Sequence, residues 1–228
     1  MSHSLKQIAA VCAIALLCTT MVLAAKRGIA NVHSYLLQAH LNSWSSTATA
    51  PTEAAWDKAK GFFQTAINQT PKDPQLLQYG GILHEWRIAM DTDDTEIRDQ
   101  HLNQSIEYYR TSTRQRPTWP YAWMNLAVAL NQAGQNDTEF QYAFGMAIKL
   151  GPWESTIVLN MAELGLHAWQ NLTPENKRNL RDNIQNAATR NPGKAIKIAE
   201  QQNRLLILCY MVKGNKPITK HCRKKGFF

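Results

Sequence analysis

FQYAFGMAIKLGP, from Phe140 to Pro152, carries the spacing that decides how this chain folds. Phe140, Phe144 and Ala147 stand four and three residues apart, so on a helix they form one stripe. Pro152 follows five residues later and stops the helix, because it lacks an N–H and disfavours a helical residue before it. The same spacing recurs as Ala59, Phe63, Ala66, Pro71, then as Ser105, Tyr109, Ser112, Pro117, and again as Leu180, Ile184, Ala187, Pro192. One helical unit is thus built repeatedly, and the chain reads as an array.

Each gap between the repeat prolines has room for a second helix. Pro74 to Met90 carries Leu76, Leu77, Ile82, Leu83 and Trp86; Pro120 to Ala133 carries Trp123, Leu126, Ala127 and Leu130. Ser155 to Gln170 carries Val158, Met161, Ala162, Leu164 and Trp169, and Lys194 to Val212 is expected as one terminal helix shielding the end of the stack. Upstream, Ile29 to Trp44 places Val32, Leu36, Leu37 and Leu41 on one side and continues from the helix before it. A Ser/Thr/Ala-rich break runs from Ser43 to Pro51, and Thr52 then caps a helix that reaches about Gln69. No β-branched alternation competes, so the expected class is all-α.

The N-terminus carries a membrane or export segment. Ile8 to Ala25 is 18 residues without a charge, about 27 Å as a helix and close to the thickness of a bilayer core. A cleavable signal is the rival reading, with Val22-Leu23-Ala24 as its cut. The length of the apolar run and the Lys26–Arg27 pair just beyond it favour an uncleaved anchor. Neither Cys12 nor Cys18 looks like a lipoprotein acceptor, because Val11 and Leu17 before them are too large. Residues 1–27 are therefore read as a transmembrane anchor, or signal peptide. Residues 28–212 are read as a helical repeat domain and 213–228 as a basic tail.

Charge and cysteine usage bear on location. The net charge is +8, and no acidic residue follows Glu200, whereas Arg204, Lys213, Lys216, Lys220, Arg223, Lys224 and Lys225 all do. Such an end is a solvated tail, or it attracts phosphates, anionic lipid or acidic polysaccharide. Nucleic acid is not expected, because aromatic and basic residues do not interleave elsewhere. Beyond the anchor the only cysteines are Cys209 and Cys222. Two free thiols in a cytosolic domain is one reading. The favoured one is a disulfide closing a short loop, which implies an oxidising, extracytoplasmic compartment.

The third unit is the most specific. Trp123, Asn125, Leu126, Ala127, Ala129 and Gly134 precede Phe144, Ala147 and Pro152, with Asn160 repeating Asn125 and Gly81 marking a tight helix approach in the second unit. This pattern resembles the tetratricopeptide repeat, whose period is 34 residues; here the prolines are 46, 35 and 40 apart, and insertions account for the longer gaps. The resemblance implies a right-handed superhelix of antiparallel helix pairs. It also implies a groove lined by Gln75, Gln78, Ile82 and Glu85, then Tyr121, Met124, Val128 and Asn131, then Thr156, Leu159, Glu163 and Leu166. The strings PTEAAW (Pro51 to Trp56), RPTWPYAWMNLA (Arg116 to Ala127), LGPWE (Leu150 to Glu154) and AELGLHAW (Ala162 to Trp169) are similar to VpsP-type exopolysaccharide biosynthesis proteins. That second resemblance implies a Gram-negative envelope location, with an inner-membrane anchor and a periplasmic domain. It implies as partners the polysaccharide polymerase or export components of the inner membrane.

Motifs for chemistry are missing. Asp91 to Glu96 is acidic, but an EF-hand needs Gly at position six and Glu at twelve, where Glu96 and Leu102 stand. His84-Glu85 lacks a second histidine, since residue 88 is Ile88. There is no Gly-x-Ser-x-Gly, P-loop or GxGxxG, and Glu85 with Glu163 does not amount to a glycosidase pair. No catalytic, cofactor or metal residue is assigned. Trp119 and Trp153, in turns after repeat prolines, are candidates for stacking on sugar rings; Trp86 and Trp123 read as packing residues. The expected function is a membrane-anchored assembly protein of exopolysaccharide biosynthesis or export that binds other proteins through its groove. The alternative is an accessory protein that contacts the polymer itself.

Overall fold

All twelve stripe residues of the recurring spacing are buried, none more than 2% exposed. In the computed structural model, which describes residues 3–90, 94–212 and 214–227, each repeat proline stands two residues past the end of a helix. The described residues form eleven helices and no strand. They are α1 (His3–Thr47), α2 (Glu53–Gln69), α3 (Pro74–Met90), α4 (Thr95–Gln115), α5 (Pro120–Gln132) and α6 (Thr138–Leu150). After these come α7 (Ser155–His167), α8 (Pro174–Arg190), α9 (Pro192–Gln201), α10 (Leu205–Met211) and α11 (Lys216–Lys224). The chain divides into two compact units, one ending at His101 and the other beginning at Leu102.

In the first unit, α1 has two characters. Its first half is apolar and exposed, and it is the one helix among the described residues long and apolar enough to cross a membrane. Its second half packs on α2 and α3. The buried positions are Ala30, Leu37, Leu41 and Trp44, which repeat at seven, four and three residues and so share a face. The expected stripe differs in two members: Val32 and Leu36 are exposed, because at about 100° per residue Val32 falls on the far side from Leu41, and Leu36 is turned aside from both Leu37 and Leu41. The rings of His33 and His40 flank the buried face and lie 6.0 and 5.8 Å from Phe62. At the start of α2, Thr52 Oγ1 accepts the N–H of Ala55, which satisfies one of the helix's orphan donors.

The second unit stacks helix hairpins. α5 packs on α6 and α7 on α8, while α5, α7 and α9 follow one another in one layer and α6 and α8 in the other. The α5–α6 turn is set by Gly134 at φ +69°. Its N–H bonds Asn131 O and the Gln135 N–H bonds Leu130 O, the paired closure that favours glycine after a helix end. The hairpin α7–α8 closes on Gly165, where a Cβ would stand 2.4 Å from a methyl of Leu180; only a glycine lets these helices approach so near. α8 gives way to α9 without a turn, since Asn191 both ends α8 and caps α9 through Lys194 N.

Two features of the C-terminus depart from expectation. The single helix expected over Lys194 to Val212 starts at Pro192 and is two helices, α9 and α10, broken where Asn203 takes φ +53°. Asparagine tolerates this left-handed region better than most residues. The segment expected as a basic tail contains α11, which buries Ile218 and Cys222. A disulfide joins Cys222 to Cys209 of α10, with Cα atoms 6.0 Å apart.

Candidate functional site

An aromatic ridge follows the N-terminal ends of α5 and α7 in the second unit. Trp119 precedes α5 in an extended conformation and makes no side-chain cap, while Pro120 fixes the first helical position. The indole is half-buried, carries the Arg116 guanidinium 4.9 Å from its ring and lies 6.1 Å from Tyr121. Tyr121 Oη donates to Glu154 Oε2 at 3.3 Å. Glu154 stands at the start of α7 and makes no cap bond there, so its carboxylate serves the tyrosine instead. Burial, and then the charge of Glu154, raise the Tyr121 pKa, so the hydroxyl stays protonated and donating.

Trp153 extends the ridge and is 75% exposed. Arg190 holds it from one side: the guanidinium lies 5.1 Å from the ring and Nη1 donates to Trp153 O at 2.7 Å. Asn186 Nδ2 donates to the neighbouring Pro152 O. An arginine therefore rests on each indole, which orients it by cation–π attraction and covers only part of it. Of the two sequence candidates for sugar contact, Trp119 lies beside Tyr121, and Trp153 directly precedes the Glu154 that Tyr121 bonds.

The other tryptophans have structural partners. Trp56 is buried and its Nε1 donates to Leu83 O at 2.8 Å. Trp86 meets Trp44 edge-on at 6.0 Å. Trp123 Nε1 donates to Pro117 O at 2.7 Å and its ring meets Tyr142 edge-on at 5.4 Å, which ties α5 to the turn before it and to α6.

The expected groove is a mixed set. In the second unit Tyr121, Val128, Asn131 and Leu159 are half-buried and Thr156 and Glu163 exposed, all on the first helix of a hairpin. Met124 and Leu166 are buried and cannot line an open surface, because the helices packed around them cover these positions. In the first unit Gln75 is exposed and Ile82 and Glu85 are half-buried, but Gln78 is buried among the helices. Glu163 Oε1 accepts from Gln202 Nε2 at 3.3 Å, and Gln202 also meets His167 Nδ1 at 3.2 Å. That carboxylate therefore helps dock the end of α9.

An open hollow of about 870 Å³ lies between α6 and α8. Its floor is a closed polar lattice. Asn176 Nδ2 donates to both Gln141 O and Gln141 Oε1 at 2.8 Å, Gln141 Nε2 donates to Asn171 O, and Asn179 Nδ2 donates to Asn176 Oδ1. These amides hold the two helices together.

One cluster escaped sequence reasoning. In the first unit His84 Nδ1 lies 2.6 Å from His101 Nδ1, with Trp56 edge-on to both rings at 6.3 and 5.8 Å. Burial first, then the charge of His101, then that of Lys60, push the His84 pKa down to about 4. Burial, Arg87 and Lys60 lower that of His101 as well. The separation of the two histidines along the chain gives no local signal of the pairing. Among the described residues no group of three or more His, Cys, Asp or Glu is placed to hold a metal. Asp91 to Asp93 of the acidic stretch lie outside the described residues.

Comparison with protein-family models and with curated proteins finds no match.

Proposed function

We propose that this protein is a non-catalytic, membrane-anchored assembly factor with a right-handed tetratricopeptide-like superhelix. In this reading it takes part in exopolysaccharide biosynthesis or export in a Gram-negative envelope, held in the inner membrane with its helical domain in the periplasm. The observation that carries the reading is the layer of first helices in the second unit. It leaves Val128, Asn131, Thr156, Leu159 and Glu163 at least partly open on consecutive hairpins. Such a mixed apolar and amide surface suits a helix or extended segment of another protein. The Cys209–Cys222 disulfide is in keeping with an oxidising compartment. The sequence offers no nucleophile, nucleotide or metal motif from which to build catalysis.

The test is affinity capture of the full chain from detergent-solubilised envelopes of its host. A polysaccharide polymerase or export component should accompany the wild type and be lost from a Val128→Glu/Leu159→Glu variant that keeps its helical circular dichroism. An unchanged set of captured proteins would refute the groove.

A second reading is favoured by the ridge: Trp119, Tyr121 and Trp153 form an aromatic line, linked through Glu154, that suits stacking on sugar rings. Under it, Trp119→Ala/Trp153→Ala abolishes retention of the purified chain on immobilised polymer while protein capture survives.

A further inference from the structure

The C-terminal disulfide gathers an amphiphilic patch. Tyr210 and Arg223 directly follow Cys209 and Cys222, whose Cα atoms are 6.0 Å apart, so their own Cα atoms lie within about 14 Å of each other. The Phe227 N–H donates to Cys222 O at 3.1 Å, which brings that ring to the same end of the bond. Leu206, one helical turn before Tyr210, shares its face of α10. Leu206 is 59% exposed, Tyr210 64% and Phe227 36%.

Cations are carried by α11, which packs on α10. Lys216, Lys220, Arg223 and Lys224 are exposed on α11. Its buried residues, Ile218 and Cys222, are four apart and occupy a single stripe. The acidic group that α11 meets is Glu200 of α9, and its carboxylate is taken by His221 Nε2 at 3.1 Å and Lys225 Nζ at 3.3 Å. The other four cations keep their charge unneutralised toward solvent.

We propose that this C-terminal cap is a docking surface for anionic phospholipid. The lysines and arginine meet headgroup phosphates, while Leu206, Tyr210 and Phe227 enter the boundary between headgroups and acyl chains. Long cationic side chains beside exposed aliphatic and aromatic ones suit that boundary, where apolar stems are buried and charges stay wet. An acidic polysaccharide would use the cations but would leave Leu206 and the face of Tyr210 without a role. The same chain carries the membrane-length helix α1, and tethering at a bilayer raises the effective concentration of lipid for a weak second contact. This proposal does not rest on the groove or ridge readings.

The test is hydrogen–deuterium exchange on the full chain in nanodiscs of phosphatidylcholine alone, and of phosphatidylcholine with phosphatidylglycerol. Peptides covering 205–227 should exchange more slowly in the anionic discs, and raised salt should remove the difference. Lys216→Gln, Lys220→Gln and Lys224→Gln should each reduce the docked population relative to the free one by about fivefold. Leu206→Ser/Tyr210→Ser should weaken docking and leave its salt sensitivity. Equal exchange of the wild type in both discs overturns the proposal. So does protection that appears only when a soluble polyuronate is added to neutral discs, which would assign the patch to an acidic polymer. The wild-type salt response decides the matter even if a lysine variant fails to fold.

Discussion

The Nδ1 atoms of His84 and His101 lie 2.6 Å apart, so one ring donates its proton and the other accepts it. That arrangement requires the accepting imidazole to be uncharged, and the lowered proton affinities of both rings favour the neutral form of each. Unfolded histidine titrates near 6.5, whereas His84 in the folded protein titrates at about 4. Between those values the unfolded chain binds more protons, so stability must fall as the pH drops. The contribution is complete above pH 6.5, declines through the window and is gone below about 4. For His84 the loss is on the order of 3 kcal/mol. Denaturant unfolding followed by tryptophan fluorescence, at pH 7 and at pH values down through this window, should show a steep decline for the wild type. The slope should be flatter for His84→Gln; equal slopes would refute the assignment.

Two glycines on helices should respond to alanine with opposite signs. At Gly165 a Cβ would stand 2.4 Å from Leu180 Cδ1 and 3.0 Å from Phe144 Cζ. Both neighbours are fully buried and have nowhere to retreat, so overpacking of about 1–3 kcal/mol exceeds the gain in helix propensity. Gly61 on α2 has nothing within 4 Å of such a Cβ, so Gly61→Ala should stabilise by up to about 1 kcal/mol. Thermal melts of the two variants in one detergent check both signs.

Reducing the disulfide should loosen the C-terminal cap. The bond closes a separation of 13 residues, for which chain entropy gives about 3 kcal/mol. Cys209→Ser/Cys222→Ser should therefore be less stable by roughly that amount. Trypsin should cleave within 216–225 faster in this variant than in the oxidised wild type, as followed by mass spectrometry. Equal cleavage rates would mean that α11 holds without the bond.

Aromatic residues of the stripe and of the ridge should separate cleanly. Phe144 is fully buried, and Phe144→Ala should cost about 3–5 kcal/mol. Trp153 is 75% exposed, and Trp153→Ala should change stability by no more than about 0.5 kcal/mol. Chemical unfolding distinguishes them. A large cost at Trp153 would make it a packing residue and remove it from the ridge.

The contrast between Phe144 and Trp153 also shows what was legible in advance. Helix ends at Pro71, Pro117, Pro152 and Pro192, and the buried stripe before each, depend on contacts within a turn or two, where spacing along the chain is distance in space. Thr52 and Thr173 cap their helices for the same local reason. Asn203 carried a signal for the break between α9 and α10, but the apolar run on either side masked it. Equivalent repeat positions did not always mean equivalent exposure: Leu166 is buried where Glu85 and Asn131, the matching members of the other two sets, are half-buried, because the packing of neighbouring helices, and not register alone, sets what remains open.

By itself the sequence determined an all-helical chain, its repeated buried stripe and one membrane-length apolar helix. All of these follow from periodicity and from proline's missing N–H. Only the tertiary structure decided that Tyr121 reaches Glu154, that Arg190 lies on Trp153 and that His84 meets His101. Each joins residues 17 to 37 positions apart, and at that range the path of the chain between them, not their spacing, determines which side chains meet.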